Sequence, residues 1–271
     1  MSPSFQLSCL DAALSIAQAA GRVLAEGAFR RHDAESKSAT TDLVTRYDRA
    51  AEEVIVAAIR SRFPDHRILA EESGAHGTAS DAPRWIIDPL DGTTNFAHGL
   101  PLFSVSIACE WEGQVRVGVV SAPALGWTFS ASLGHGAQRN GQPISVTSTP
   151  TIERALLVTG FPYDRKTAKD NNFAQFVTLK RRAQGIRRLG SAALDLSLVA
   201  AGSLDGYWEM KLKPWDIAAG LLIATEAGAV TSDWHGQPVD LSVGQVVCAN
   251  PSLHRELLSV LSTVQHGVIA V

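Results

Sequence analysis

The 271-residue sequence predicts a mixed α/β fold, with a strand-rich N-terminal half and a more helical C-terminal half. Three observations predict it. Apolar residues recur at a period near 3.6 close to the N-terminus. Short apolar runs bounded by turn residues follow from residue 67 onward. The composition then changes near 145–152, where SVTSTPT leads into longer helical segments. That change is read as the boundary between two lobes, 1–148 and 149–271, of one structural unit.

The elements follow in order. Leu10, Leu14, Ala17, Val23 and Leu24 place residues 5–29 on an amphipathic helix. Residues 31–42 are polar and aperiodic, which predicts an exposed loop. Asp48 to Arg62 reads as a second helix ended by Pro64-Asp65, and residues 67–70 as a short strand. Gly, Ser and Ala in 73–83 predict a mobile connection. Trp85-Ile86-Ile87 is a buried strand, and 103–109, 115–121 and 127–132 are further strands. Turns are expected at 112–113, 134 and 140–141. ALLVT (155–159) is another strand, followed by helices at 171–184, 191–201 and 217–227. Gly202 and Gly228 stop the last two of these. A strand at 246–249 and a helix at 253–263 complete the chain.

Hydrophobic residues are 45% and charged residues 19%, which excludes overall disorder. The net charge of −3 excludes a general nucleic-acid footprint, though it averages over any local cluster. Cys9, Cys109 and Cys248 are too scattered for a disulfide framework or a thiolate zinc site. They are expected to be reduced and buried, and a cytoplasmic location follows. The N-terminus lacks a basic leader, and Asp11 interrupts its apolar run, so neither a signal peptide nor a membrane span is expected.

The chemistry concentrates in W85-I-I-D-P-L-D-G-T-T-N-F. Asp88 and Asp91 end an apolar strand with Pro89 between them and Gly92 after them. Two carboxylates and a main-chain carbonyl suit Mg²⁺, and the following amides of Gly92, Thr93 and Thr94 suit an anion. A DPxDG run can also be an ordinary surface turn. Three further acidic features favour the metal reading. Glu71-Glu72 end a strand, and either could project into a cleft. Asp216 follows Pro214-Trp215 at a helix start, where it could serve as a first-turn acid. Asp42 and Asp48 stand in T41-D-L-V-T-R-Y-D, where Asp48 could cap a helix and also serve the site.

E71-E-S-G, the DPLDGTTNF block and K213-P-W-D-I-A-A-G, in that order, resemble the inositol monophosphatase family. T41-D-L-V-T-R-Y-D, G190-S-A-A-L-D-L and D205-G-Y-W-E extend the resemblance over about residues 5 to 262. It implies a layered αβαβα sandwich and an Mg²⁺-dependent, lithium-sensitive phosphatase with two to three ions. By that resemblance Glu71, Asp88 and the Leu90 carbonyl hold one metal, and Asp88, Asp91 and Asp216 a second. Gly92 and Thr93 receive phosphate oxygens. Glu71 and Thr93 orient a water, and Asp48 pairs with the Thr93 hydroxyl. Glu209 binds a substrate hydroxyl, Ser191 and Ala192 line the leaving-group pocket, and Lys37 stands on a mobile metal-site loop. The resemblance also implies a small phosphorylated substrate, myo-inositol 1-phosphate first and histidinol phosphate as the alternative. A homodimer is the expected assembly, with the active site between the two lobes.

Electrostatics supports the same picture independently. Two like charges 4 Å apart cost about 4 kcal/mol at an effective dielectric of 20. A cluster of four acids therefore needs cations or raised pKa values. The eight histidines form no HxxxH or HxH pair, and His98 alone follows the acidic motif closely. The basic run 180–188 reads as a solvated face, with contact to a second phosphate, a dimer partner or RNA left open. A binding role in RNA or transcription is therefore the second functional class. Trp208 and Trp215 are expected in the core or a pocket wall.

Overall fold

The computed structural model describes residues 3–36, 43–77 and 81–264. Lys37, Thr41 and Asp42 lie outside the described residues.

Two helices, α1 (Pro3–Gly27) and α2 (Arg46–Arg62), form the first layer. A short ribbon lies between them in sequence: β1 (Glu35–Ser36) falls within the segment 31–42 that reads as a loop, and β2 (Leu43–Val44) follows that segment directly. Helix α1 is long and apolar enough to cross a membrane by length and composition. Its Cys9, Ala13, Ile16, Ala20 and Leu24 are instead buried in the core shared with α2 and the first sheet. Thr45 caps α2, and Asp48 stands inside the first turn, its carboxylate returning to the Thr45 amide.

The second layer is a sheet built from β3 (Arg67–Ala70), β4 (Gly74–His76), β5 (Arg84–Asp91), β6 (Ser104–Trp111), β7 (Gln114–Ala122), β8 (Trp127–Ser132), β9 (Ala137–Arg139) and β10 (Gln142–Pro143). Its order is β10-β9-β8-β7-β6-β5-β3-β4, and only the β3–β5 pair is parallel. Strand β4 occupies part of the segment 73–83 that composition assigns to a loop. Its pairing with β3 satisfies backbone groups that small residues leave accessible. A five-residue helix, α3 (Thr93–Ala97), follows β5 directly.

The second sheet contains β11 (Leu156–Thr159), β12 (Gly185–Arg187), β13 (Gly206–Glu209), β14 (Val230–Ser232) and β15 (Val246–Ala249), in the order β12-β11-β13-β15-β14. Helices α5 (Ala192–Ala200) and α6 (Pro214–Glu226) lie between the sheets. Every residue of α5 is buried, as expected for a helix apolar on nearly all sides with sheets on both faces. Helices α4 (Phe173–Lys180) and α7 (Pro251–Leu261) cover the outer face of the second sheet, around Leu179, Trp208, Trp234 and Leu257. The resulting layers are αβαβα, in agreement with the expectation.

Candidate active site

A strand turns successive side chains to opposite faces, so residues three apart should diverge. Asp88 and Asp91 do not follow this rule, because β5 is irregular between them. Asp88 pairs with Ser106 and Asp91 with Ser104, so three steps on β5 face two on β6. The extra residue is a bulge, a device that re-aims a side chain. Both aspartates therefore line one cleft of about 390 Å³, with Glu71, Leu90, Thr93 and Asp216.

Gly92 closes the bulged segment at φ 98°, and a Cβ there would lie 2.9 Å from the Leu102 carbonyl oxygen. Both conformation and space thus call for glycine. Thr93 then opens α3, and its hydroxyl lies 2.9 Å from Asp48 Oδ1 and 3.0 Å from the Leu90 carbonyl. Asp48 is fixed in turn by the Thr45 hydroxyl, 2.6 Å from its Oδ2, and by the Thr45 amide at 2.8 Å. Its capping and site contacts coexist.

Glu71 follows β3, and its amide donates to the Ile87 carbonyl of β5. The buried Glu52 carboxylate accepts from the amides of Glu72 and Ser73 at 2.9 and 2.8 Å and fixes the turn that presents Glu71. Asp216 enters from the other half of the chain. Its Oδ2 accepts from the Lys213 amide at 2.7 Å, while the Ser106 hydroxyl of β6 donates to the Trp215 carbonyl at 3.0 Å. Asn95 adds a second bridge by donating to the carbonyls of Leu102 and Leu189.

Burial raises the Asp88 carboxyl well above its ordinary range, and the charges of Glu71, Asp91 and Asp216 add to the effect. Burial does the same to Asp216, followed by Asp91 and Glu71. Asp91 is pushed up to about 6 by burial, against the pull of two donors at its Oδ2, the Ser191 hydroxyl at 2.7 Å and the Ala193 amide at 2.8 Å. Asp48 is also raised by burial, opposed by Thr45 and Thr93. Among the described residues, no three His, Cys, Asp or Glu side chains stand close enough to chelate an ion as placed. The fit to a divalent cation rests on donor chemistry: carboxylates and a carbonyl, without nitrogen or sulfur, in a place that disfavours their own charge.

The cleft continues into a cavity of about 100 Å³ that includes Ser191, Ala192 and Glu209. Ser191 gives its hydroxyl to Asp91 and so ties the end of β5 to the start of α5. Glu209 Oε2 accepts from the Tyr207 hydroxyl at 2.9 Å, and burial pushes this carboxyl up to about 7. Gly160 lies against it: a Cβ there would come within 2.0 Å of Glu209 Oε1.

The structure thus brings Glu71, Asp88, Leu90, Asp91, Gly92, Thr93 and Asp216 to one cleft and Ser191, Ala192 and Glu209 to its extension. Lys37 lies outside the described residues. His98 lines the cleft, Trp208 is buried, and Trp215 packs against the middle helices. Sequence reasoning missed Glu52, Asn95 and Gly160, because each acts through a partner distant in sequence, and it missed Arg165, which lines the cleft. The basic run divides. Arg182 pairs with Glu153 and Glu256, Arg188 lines the cleft, and Arg181 and Arg187 are exposed.

The sequence profile of the inositol monophosphatase family matches residues 6–266. An inositol-1-monophosphatase of Synechocystis is 46% identical over 266 residues, covering 96% of this chain and 92% of that protein. A protein of Pasteurella multocida named Nus factor SuhB is 45% identical over 252 residues, covering 92% and 94%. The solved inositol monophosphatase of Anabaena superposes with a TM-score of 0.87 at 43% identity, covering 96% of this chain and 97% of that one.

Proposed function

The chain belongs to the inositol monophosphatase family, and from that premise we propose that it is an Mg²⁺-dependent phosphomonoesterase acting on myo-inositol 1-phosphate or a similar small phosphomonoester. The observation that carries this reading is the convergence of Glu71, Asp88, Asp91 and Asp216 on one cleft beside the Gly92-Thr93 amides. Family members are generally metal-dependent. Glu71, Asp88 and the Leu90 carbonyl would hold one Mg²⁺, Asp88, Asp91 and Asp216 would hold a second, and a third would bind near Glu71. Bound Mg²⁺ supplies positive charge for a phosphate dianion and lowers the pKa of water.

The chain's own groups do the positioning. The amides of Gly92 and Thr93 receive phosphate oxygens. The Thr93 hydroxyl directs its proton toward Asp48 or Leu90, which leaves its lone pairs to accept from a water. Glu71 and Thr93 together aim that water in line with the leaving oxygen. The water oxygen bonds to phosphorus as the bond to the leaving oxygen breaks, and the proton that the water sheds ends on that leaving oxygen, giving phosphate and an alcohol. Glu209 grips a hydroxyl of the leaving group, and Ser191 and Ala192 wall its pocket. A cytoplasmic homodimer and lithium sensitivity are parts of the same reading.

The test is a panel of phosphomonoesters, with and without Mg²⁺ and lithium. The expected result is Mg²⁺-dependent, lithium-inhibited turnover led by myo-inositol 1-phosphate. A large kcat/KM preference for histidinol phosphate would move the assignment to that substrate, and absence of Mg²⁺-dependent turnover would overturn it. A second reading, a binding role in RNA or transcription, draws on the relative named a Nus factor and on exposed Arg181 and Arg187. Asp88→Asn separates the two, since it should abolish turnover and leave such binding intact.

A further inference from the structure

The leaving-group cavity holds a second carboxyl, for which the mechanism above has no use. Asp195 is the only charged residue of α5. It is 1% exposed, and its Oδ1 has no hydrogen-bond partner among the described residues. It nevertheless lines the cavity that contains Glu209. The first turn of a helix favours an acid through its dipole, but an exposed acid would gain the same field without losing its water. Burial without a partner destabilises the free protein, and a ligand that supplies a donor relieves it.

We propose that Asp195 is a specificity-determining residue that acts with Glu209 to accept two hydroxyl donors from a polyhydroxylated leaving group. The proposal rests on the phosphatase reading. Tyr207 already occupies Glu209 Oε2, so Oε1 is the oxygen left for one substrate hydroxyl. Asp195 takes a second. A leaving group without hydroxyls leaves Asp195 as unpaired as it is in the free protein, so the site gains affinity only for a polyol. This is selection by a buried polar group, which discriminates more sharply than an apolar wall. Lys211 and Lys213 line the same cavity and suit the approach of a phosphorylated molecule.

The experiment compares myo-inositol 1-phosphate with p-nitrophenyl phosphate, whose leaving group carries no alcohol hydroxyl, in wild type and Asp195→Leu. Leucine keeps the branching at Cγ, with greater bulk that the adjoining cavity can take up, and removes the unpaired oxygen, so the variant should melt no lower than wild type. Its kcat/KM for inositol phosphate should fall about tenfold or more, mainly through KM. Its kcat/KM for p-nitrophenyl phosphate should stay within about twofold. Asp195→Asn, which keeps an acceptor, should recover most of the loss. If the leucine variant does not fold, the same ratio is read in Asp195→Ala. Equal losses on both substrates, or none on either, overturn the role of Asp195. A greater loss on an amino-alcohol phosphate than on inositol phosphate overturns the polyol assignment. Failure of wild type to turn over either substrate overturns the phosphatase reading itself.

Discussion

The two ends of the cleft bury the same chemical group and hold it differently. At the metal end each aspartate is engaged by the protein. Asp88 accepts from the Leu90 amide, Asp91 from Ser191 and Ala193, and Asp216 from Lys213. At the leaving-group end, among the described residues, Glu209 accepts from the Tyr207 phenol and Asp195 Oδ1 has no donor. The first arrangement fixes geometry before anything binds, as a reaction centre requires. The second leaves acceptors for a ligand to complete. On the proposed reading, one end sets whether a phosphate is cut, and the other sets which molecule carries it.

Breaking the metal end should give the largest effect. Asp88→Asn should lower kcat for every substrate by roughly 10³-fold. Steady-state assays on inositol phosphate and p-nitrophenyl phosphate would show whether the loss is uniform. A loss on only one of them would erase the distinction between the two ends.

The next effect appears in stability. Glu209 titrates at about 7 in the folded protein, against 4.5 for an ordinary glutamate. A raised carboxyl contributes fully below its unfolded pKa, and the contribution is lost as pH rises through the folded value. Glu209→Gln should therefore gain stability over wild type between pH 4.5 and 7, by about 2–3 kcal/mol in metal-free protein. Urea midpoints at pH 5 and 8 measure it, and a difference independent of pH would contradict a buried, weakly engaged carboxyl.

Gly160→Ala sharpens the comparison further. The new Cβ meets the far end of a flexible side chain, so the fold should survive while the Glu209 carboxyl moves. KM for inositol phosphate should rise about tenfold, the worth of one hydrogen bond, with p-nitrophenyl phosphate unaffected. The smallest effect lies outside both ends. Arg182→Ala should cost less than about 1 kcal/mol in a thermal melt and leave kcat alone, because its pairs with Glu153 and Glu256 are partly solvated.

The regular elements were largely legible in the sequence. Strands 127–132 and 246–249 match residue for residue, since apolar runs between turn residues report burial directly. The four acids were legible because each interrupts or ends an apolar run. Other features were not, and for a common reason. Glu52 reads as one more polar residue on a surface helix until its contacts with the Glu72 and Ser73 amides are seen. The β4 and α3 segments lack periodicity, and pairing or capping forms them. Asp195 did leave a signal, as the lone charge in AALDLSLVA, but that pattern cannot say what the charge faces.

The irregularity in β5 carries a consequence for how this segment can vary. Substitution can adjust either aspartate in small steps. Losing a single residue between 88 and 91 cannot be gradual: a two-residue spacing would still face both acids to one side, but it would erase the bulge, and with it the local bend that presents the Leu90 carbonyl and Gly92 beside them. Chain length between the two aspartates is thus a quantity with one permitted value, while the identities around it are free to drift.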